Sequence, residues 1–302
     1  MSLSRRAFIG KLTITTAMIQ AFETNGMAEV PAASGYALKV LATNWGFAGD
    51  RKTFADKVAQ DGYDGVENWV PQDPGDRKDF ISVMKDRGLS FGLLVGGSDP
   101  DPVKHLYQFQ KALDIALEMN PLYINCHSGK DWFSFEDNMK ILETGNRQAE
   151  KSGIPVCHET HRGRMMYSAP VASEFLKRMP QVKLTADLSH WCNVHESLLE
   201  DQPDALRLAL SRTEHIHARI GHAQGPQVND PRAPEWEKAV ATHLSWWDVV
   251  VSRKKKEGKL MTVLTEFGPA DYMPTTPYTR NPLADQWAVN VHMKDLLRKR
   301  YS

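Results

Sequence analysis

The sequence has no excess charge of either sign: 37 lysines and arginines balance 37 aspartates and glutamates over 302 residues. No basic field is available to hold a phosphate backbone, so nucleic acid is not an expected partner. Cysteine is scarce. Cys126, Cys157 and Cys192 cannot all pair, and each falls near an expected strand end, where a small buried side chain is ordinary. A disulfide framework is therefore not expected. Long apolar runs are missing too. The moderately apolar stretch that ends at Phe22 contains Lys11 and Gln20 and is too short to span a bilayer comfortably, so stable membrane insertion is not expected. Also absent is a Gly-x-Gly-x-x-Gly after the first expected strand, the usual mark of a dinucleotide-binding open sheet.

What remains is an ordinary globular composition, 41% apolar and 25% charged, with enough chain for a sizeable core. The first residues stand apart from it. Ser4-Arg5-Arg6-Ala7-Phe8-Ile9-Gly10-Lys11 has the form of a twin-arginine export signal, and Gly26-Met27-Ala28 offers small residues at the usual cleavage spacing. The expected organisation is a signal peptide over residues 1–28, a linker over 29–36 and one catalytic domain over 37–302. The expected location is periplasmic or otherwise extracytoplasmic.

From residue 38 onward, β-prone runs alternate with segments of helical period. The strands are expected at 38–42, 65–69, 90–95, 122–126, 154–159, 182–187, 215–218 and 261–266. Helices are expected between them, among others over 53–59, 103–117, 135–149, 169–179, 198–210, 236–256 and 282–298. Eight strands, each followed by a helix, demand a parallel sheet with helical crossovers. Eight such units over about 260 residues suit a closed (β/α)8 TIM barrel. A doubly wound open sheet is the alternative.

Barrel side chains alternate between the interior and the helix layer. Cys157 and Glu159 share one parity, as do Thr185 and Asp187, His215 and His217, and Leu264 and Glu266. The last member of each pair ends a strand at the carboxyl face, where barrel active sites lie. Glu159, Asp187, His217 and Glu266 are therefore the expected ligands of one divalent ion. Three carboxylates and one imidazole suit Mn2+ first, with Mg2+, Co2+ or Zn2+ as alternatives. Taken singly, each has a plainer reading: a rim salt bridge for Glu159, a helix cap for Asp187, a core imidazole for His217, a surface carboxylate for Glu266.

Eight of the eleven histidines (127, 158, 161, 190, 195, 215, 217 and 222) fall at strand ends or in the loops after them, which predicts a polar, proton-handling mouth. His158 has the parity of the helix layer. His127, His161 and His190 are the better substrate candidates. Glu67, at the end of the second strand, is another. Trp191, Trp132 and Trp69 lie just past strand ends, where an indole can cover a sugar face or serve as packing. Arg164 and Arg219 complete the substrate-binding candidates.

These residues carry a family resemblance. Gly62-Tyr63-Asp64-Gly65-Val66-Glu67, His127-Ser128-Gly129, His158-Glu159-Thr160-His161, Asp187 with His190, His215-Ile216-His217 and Thr265-Glu266 resemble the sugar phosphate isomerase/epimerase superfamily. These are the xylose isomerase-like barrels, which include ketose 3-epimerases and endonuclease IV. The resemblance spans roughly residues 38–295. It implies one metal held by Glu159, Asp187, His217 and Glu266, the two glutamates acting as acid and base, and His190 touching substrate. The Thr160-His161-Arg162-Gly163-Arg164 loop departs from the ketose epimerases and from the three-zinc pattern of endonuclease IV.

The expected activity is a metal-dependent sugar or keto-sugar isomerase or epimerase. Glu159 or Glu266 would remove a proton beside a metal-polarised carbonyl. A keto-glycoside lyase uses the same residues, and a non-catalytic carbohydrate-binding barrel is the reading from another class. The loop after the seventh strand, Ile220 to Gln227, has glycines but no lysine. The loop after the eighth puts Asp271 where a phosphate would be repelled. Arg162, Arg164 and Arg219 are read as offsetting the carboxylates around the ion. The substrate is therefore expected to be a neutral sugar, oligosaccharide or keto-glycoside, and the sequence leaves room for a homo-oligomer.

Overall fold

A computed structural model describes residues 35–302. The expected export signal over 1–28, and the expected linker over 29–36 save Gly35 and Tyr36, lie outside the described residues. The strands are β1 (Ala37–Thr43), β2 (Gly65–Trp69), β3 (Ser90–Gly96), β4 (Ile124–His127), β5 (Val156–Glu159), β6 (Lys183–Ala186), β7 (Thr213–Ala218) and β8 (Leu260–Thr265). All neighbours are parallel, and β8 returns to β1 through Ala37↔Leu260 to Ala42↔Thr265, which closes the barrel in sequence order. The open-sheet alternative is thereby set aside. Among the described residues, no helix is long and apolar enough to cross a membrane.

The helices are α1 (Arg51–Gln60), α2 (Pro74–Asp86), α3 (Pro102–Glu118), α4 (Phe135–Ser152), α5 (Ala169–Arg178), α6 (Leu188–Val194), α7 (Pro203–Arg212), α8 (Glu237–Glu257) and α9 (Gln286–Tyr301). Their starts follow from local chemistry. Asp50, Asp73, Asp101, Ser134 and Asp285 each accept a backbone N–H of the first turn, which satisfies donors that the helix itself cannot. Gly153 and Gly258 end α4 and α8 at φ 74° and 62°, a conformation that glycine adopts without a Cβ penalty.

Two helices differ from expectation: the one expected over 282–298 begins only at Gln286 and runs to Tyr301. The helix expected over 198–210 begins only at Pro203, and α6 precedes it directly after β6. Asp187 produces this arrangement: its side chain accepts from Ser189 N at 3.1 Å and caps α6.

The main core lies between the strands and the helix layer. Inside the barrel the filling is different. Tyr123 packs with Leu41 and Leu264, and its ring stacks on His215 with centroids 3.9 Å apart. Gly92 makes room for that ring; a Cβ there would meet Tyr123 Cζ at 2.3 Å. Above this floor, toward the carboxyl ends of the strands, the interior turns polar.

Candidate metal centre and active site

Glu159 is the last residue of β5, and Asp187 immediately follows β6. His217 lies near the end of β7, and Glu266 immediately follows β8. One ligand-capable atom from each lies within 4.8 Å of the others. Asp187 and His217 are almost fully buried, Glu159 is 2% exposed, and the side chain of Glu266 is 13% exposed.

Three atoms of this set are buried without a hydrogen-bond partner: Glu159 Oε1, His217 Nδ1 and Glu266 Oε2. His217 Nδ1 lies 2.8 Å from Glu266 Oε2 and 3.7 Å from Glu159 Oε1, yet neither contact has hydrogen-bond direction. Donor atoms that crowd together without bonding one another are what a cation site requires, because each must turn its lone pairs to a common centre. The opposite sides of the same groups are well held. Asn125 Nδ2 donates to Glu159 Oε2 at 2.7 Å. His217 Nε2 lies 3.4 Å from Glu67 Oε2, a contact that fixes the ring and leaves Nδ1 free for a ligand role. Asp187 is bound through Oδ2 to Arg219 and through Oδ1 to the Ser189 hydroxyl. Chemically and spatially, the four residues fit a divalent ion.

Two further groups share members with this one: Glu67, His215 and His217, and His127, Glu159 and His161. In the first, His215 Nδ1 contacts the Thr262 carbonyl at 2.9 Å, so the group reads as support beneath the centre. In the second, His127 Nε2 lies 2.8 Å from Glu159 Oε2, on the side that Asn125 also holds.

The charges depend on one another. Burial opposes ionisation of Glu159, but the fields of His127 and His217 outweigh it and hold its carboxyl well below the usual range. Burial likewise opposes a charged His217, and Glu266, Glu159 and Glu67 overcome it, so the imidazole lies well above its ordinary value. Asp187 moves the other way. Burial, reinforced by Glu266 and Glu159, exceeds the pull of Arg219 and raises it to about 6. His161 is pushed down to about 3, chiefly by burial, and remains neutral.

A pocket of about 460 Å3 opens over the centre, and its walls include Glu67, Trp69, His127, His161, Arg219 and Glu266. Trp45 and Tyr272 also line it. Arg219 lies over the Tyr272 ring at 4.7 Å and Arg162 over the same ring at 5.1 Å.

Three of the expected substrate-binding residues are elsewhere. Trp191 is corrected outright. It lies one turn into α6, fully buried, and its indole N–H donates to the Met166 carbonyl at 2.8 Å. Capping by Asp187 starts the helix at once and turns this side chain into the core. His190 is also fully buried. It sits against the His161 ring at 3.8 Å between centroids, with Nε2 2.9 Å from Arg219, and does not reach the pocket wall. Arg164 faces a neighbouring hollow. His158 faces the helix layer, as its parity implies; Gly145 of α4 leaves it space, since a Cβ there would meet Nε2 at 2.8 Å.

Sequence reasoning missed Asn125, Trp45 and Tyr272. Asn125 has the interior parity of His127, two residues on, and that was its one signal. Trp45 lies two residues past β1. Tyr272 follows Asp271 in the loop after β8, whose one sequence signal is the charge of Asp271.

A model of the xylose isomerase-like TIM barrel family matches residues 55–232. No curated protein matches the chain in sequence. Among solved structures, the chain is similar to D-psicose 3-epimerase in the presence of D-fructose. The two are 14% identical with a TM-score of 0.57, over 86% of this chain and 98% of that one. It is similar also to 3-keto-D-glucoside 4-epimerase from E. coli, 14% identical with a TM-score of 0.58, over 87% and 100% of the two chains. A third is a xylose isomerase-like TIM barrel protein from Mycobacterium smegmatis in complex with magnesium. It is 14% identical with a TM-score of 0.56, over 86% and 95% of the chains. Identities this low bear on the fold alone.

Proposed function

The chain belongs to the xylose isomerase-like TIM barrel family, and from that premise we propose that it is a divalent-metal-dependent isomerase or epimerase of a sugar or keto-sugar. The observation that carries the reading is the convergence of Glu159, Asp187, His217 and Glu266, with three unpartnered ligand atoms, at the base of the carboxyl-face pocket. These four residues would hold the ion, with Mn2+ favoured. When bound, a divalent cation supplies a Lewis acid that polarises a sugar carbonyl.

The rest is done by side chains. Glu159, kept ionised by His127 and His217 and oriented by Asn125, is fit to accept a proton from the carbon beside that carbonyl. Glu266 stands across the same site as the second acid or base. Return of the proton to the opposite face of that carbon gives epimerisation, and return to its neighbour gives isomerisation. Trp45, Trp69 and Tyr272 provide ring faces for the apolar side of a sugar. Arg219 offsets the carboxylate charge. A keto-glycoside lyase is the second reading, favoured by the hollow that adjoins the pocket across Trp69 and offers space for a leaving unit.

The test is proton exchange. Free ketoses and keto-glycosides incubated in heavy water with Mn2+-loaded protein should gain deuterium beside the carbonyl, and chelation should stop it. Failure of exchange across the whole set, with the metal bound, would remove the isomerase reading.

Metal binding itself should be linked to protons. His217 must lose its proton before it can serve as a ligand, and below about pH 6 Asp187 must do so as well. Rising pH removes the competing proton, so affinity for Mn2+ should increase between pH 5 and 8, by about tenfold per pH unit for each proton released. Calorimetry in two buffers of different ionisation enthalpy reads the protons directly. Binding that releases none at pH 7 contradicts the assigned ligands.

We further propose export by the twin-arginine route, supported by Arg5-Arg6 and the sequence that follows them. Arg5→Lys with Arg6→Lys should strand the precursor inside the cell, and normal periplasmic accumulation of that variant contradicts the proposal.

A further inference from the structure

Beside the metal pocket lies a second hollow of about 490 Å3, and Trp69 lines both. One edge of the Trp69 ring meets His127 at 5.6 Å between centroids, so this indole is a thin partition between the two spaces. The chemistry changes across it. The metal side presents carboxylates and imidazoles. The far side presents Lys111 of α3, Lys130 after β4 and Arg164 after β5, together with the amides of Gln72 and Gln108 and the small residues Gly96 and Gly97.

The three cations contrast with the arginines that carboxylates neutralise in place. Arg51, Arg87, Arg219, Arg298 and Arg300 all rest on carboxylates. Among the described residues, Lys111, Lys130 and Arg164 make no ion pair within 4.0 Å. Lys130 and Arg164 are partly buried and act on one another. Lys130 is held below its ordinary value by burial and then by Arg164, and Arg164 is lowered chiefly by burial. Asp131 is the nearby carboxylate that both feel, and it does not close on either. Cations gathered with too little counter-charge repel one another, and an anionic ligand relieves that repulsion.

We propose that this hollow is a second subsite, which takes an oxyanion, a carboxylate or a phosphate, carried by a sugar unit beyond the reacting ring. The inference rests on the carbohydrate reading of the adjoining pocket. It also refines the substrate. The reacting ring is neutral, as expected from the loops after β7 and β8, and the charge lies at the far end, across Trp69. Of the three arginines read as offsetting the metal carboxylates, Arg219 pairs with Asp187, whereas Arg164 makes no ion pair and feels Glu159 only as a longer-range field.

The experiment compares glucose, glucuronate and glucose 6-phosphate by ligand-observed NMR on the full chain, metal-free and Mn2+-loaded. At least one charged sugar should bind about tenfold more tightly than glucose, in the metal-free protein too, where chelation plays no part. The stronger of the two identifies carboxylate or phosphate. The preference should fall to near unity in Lys130→Met and Arg164→Met, and Lys111→Met, at an exposed position, serves as the variant least able to disturb folding. Equal binding of all three sugars, or a preference that survives all three variants, overturns the inference. A preference that persists in a protein unable to bind Mn2+ keeps the subsite and removes the proposed function. Mn2+ binding without the preference does the reverse.

Discussion

Glu159→Gln and Glu266→Gln are each expected to lower turnover by about 10²–10⁴-fold, the usual contribution of a positioned acid or base. The amide keeps the shape of the carboxylate and an oxygen that can face a cation, but it cannot accept the proton. Glu159 is the more constrained of the two, because Asn125 holds its Oε2 at 2.7 Å and leaves Oε1 to the centre. Folding should survive, since the substitution removes one negative charge from a cluster that holds three carboxylates. The measurements are kcat on the best keto-sugar, the circular dichroism melt and the Mn2+ affinity. A fall in affinity with unchanged kcat at saturating metal would assign a ligand role alone. Near-native rates in both variants would remove the proposed chemistry.

Arg219→Met should produce the largest loss of stability. Arg219 is 2% exposed and Asp187 is fully buried; the guanidinium bonds the Asp187 carboxylate and also lies 2.9 Å from His190 Nε2. Removing one member of a buried pair leaves an uncompensated charge, at a cost of about 3–5 kcal/mol. Without Arg219, burial, Glu266 and Glu159 would all push the Asp187 carboxyl above its present value of about 6. The destabilisation should therefore ease as pH falls and Asp187 takes up a proton. Urea unfolding of the metal-free protein at pH 5 and pH 8 measures it. Adding Asp187→Asn to Arg219→Met should restore a large part of the loss. A single variant within 1 kcal/mol of the parent, on the scale of an exposed ion pair, would show that Arg219 contributes little.

The barrel was legible because its strands are marked on both sides. β2 runs over Gly65–Trp69, as its composition implies, because Gly62 and Asp64 break the chain before it and Pro71 after it. The carboxyl-face position of Glu159, Asp187, His217 and Glu266 followed from the period of two along each strand. What could not be read was local and short. Leu188–Val194 has too few residues to display a helical period, and its first signal, Asp187, was already accounted for as a ligand; the residue is a cap as well. Trp191 was misplaced for that reason. Asn125 was overlooked because an amide carries neither charge nor metal preference, and its importance lies in which lone pair of Glu159 it occupies. Arg164 depends on the path of a loop: Gly163, at φ 73°, separates it from Arg162, which lies over Tyr272. Residue type alone does not distinguish two arginines on either side of such a turn.

The stacked Tyr123 and His215, packed with Leu41 and Leu264, have a kinetic consequence. They fill the barrel below the metal centre, so the pocket is closed on that side and is entered from the carboxyl face. Substrate and product are therefore expected to share the carboxyl-face mouth. Product lingering in the mouth must therefore compete with substrate for the free enzyme. Once the chemical step is fast, turnover should follow the rate at which that mouth clears, and it should slow as the solvent is made more viscous.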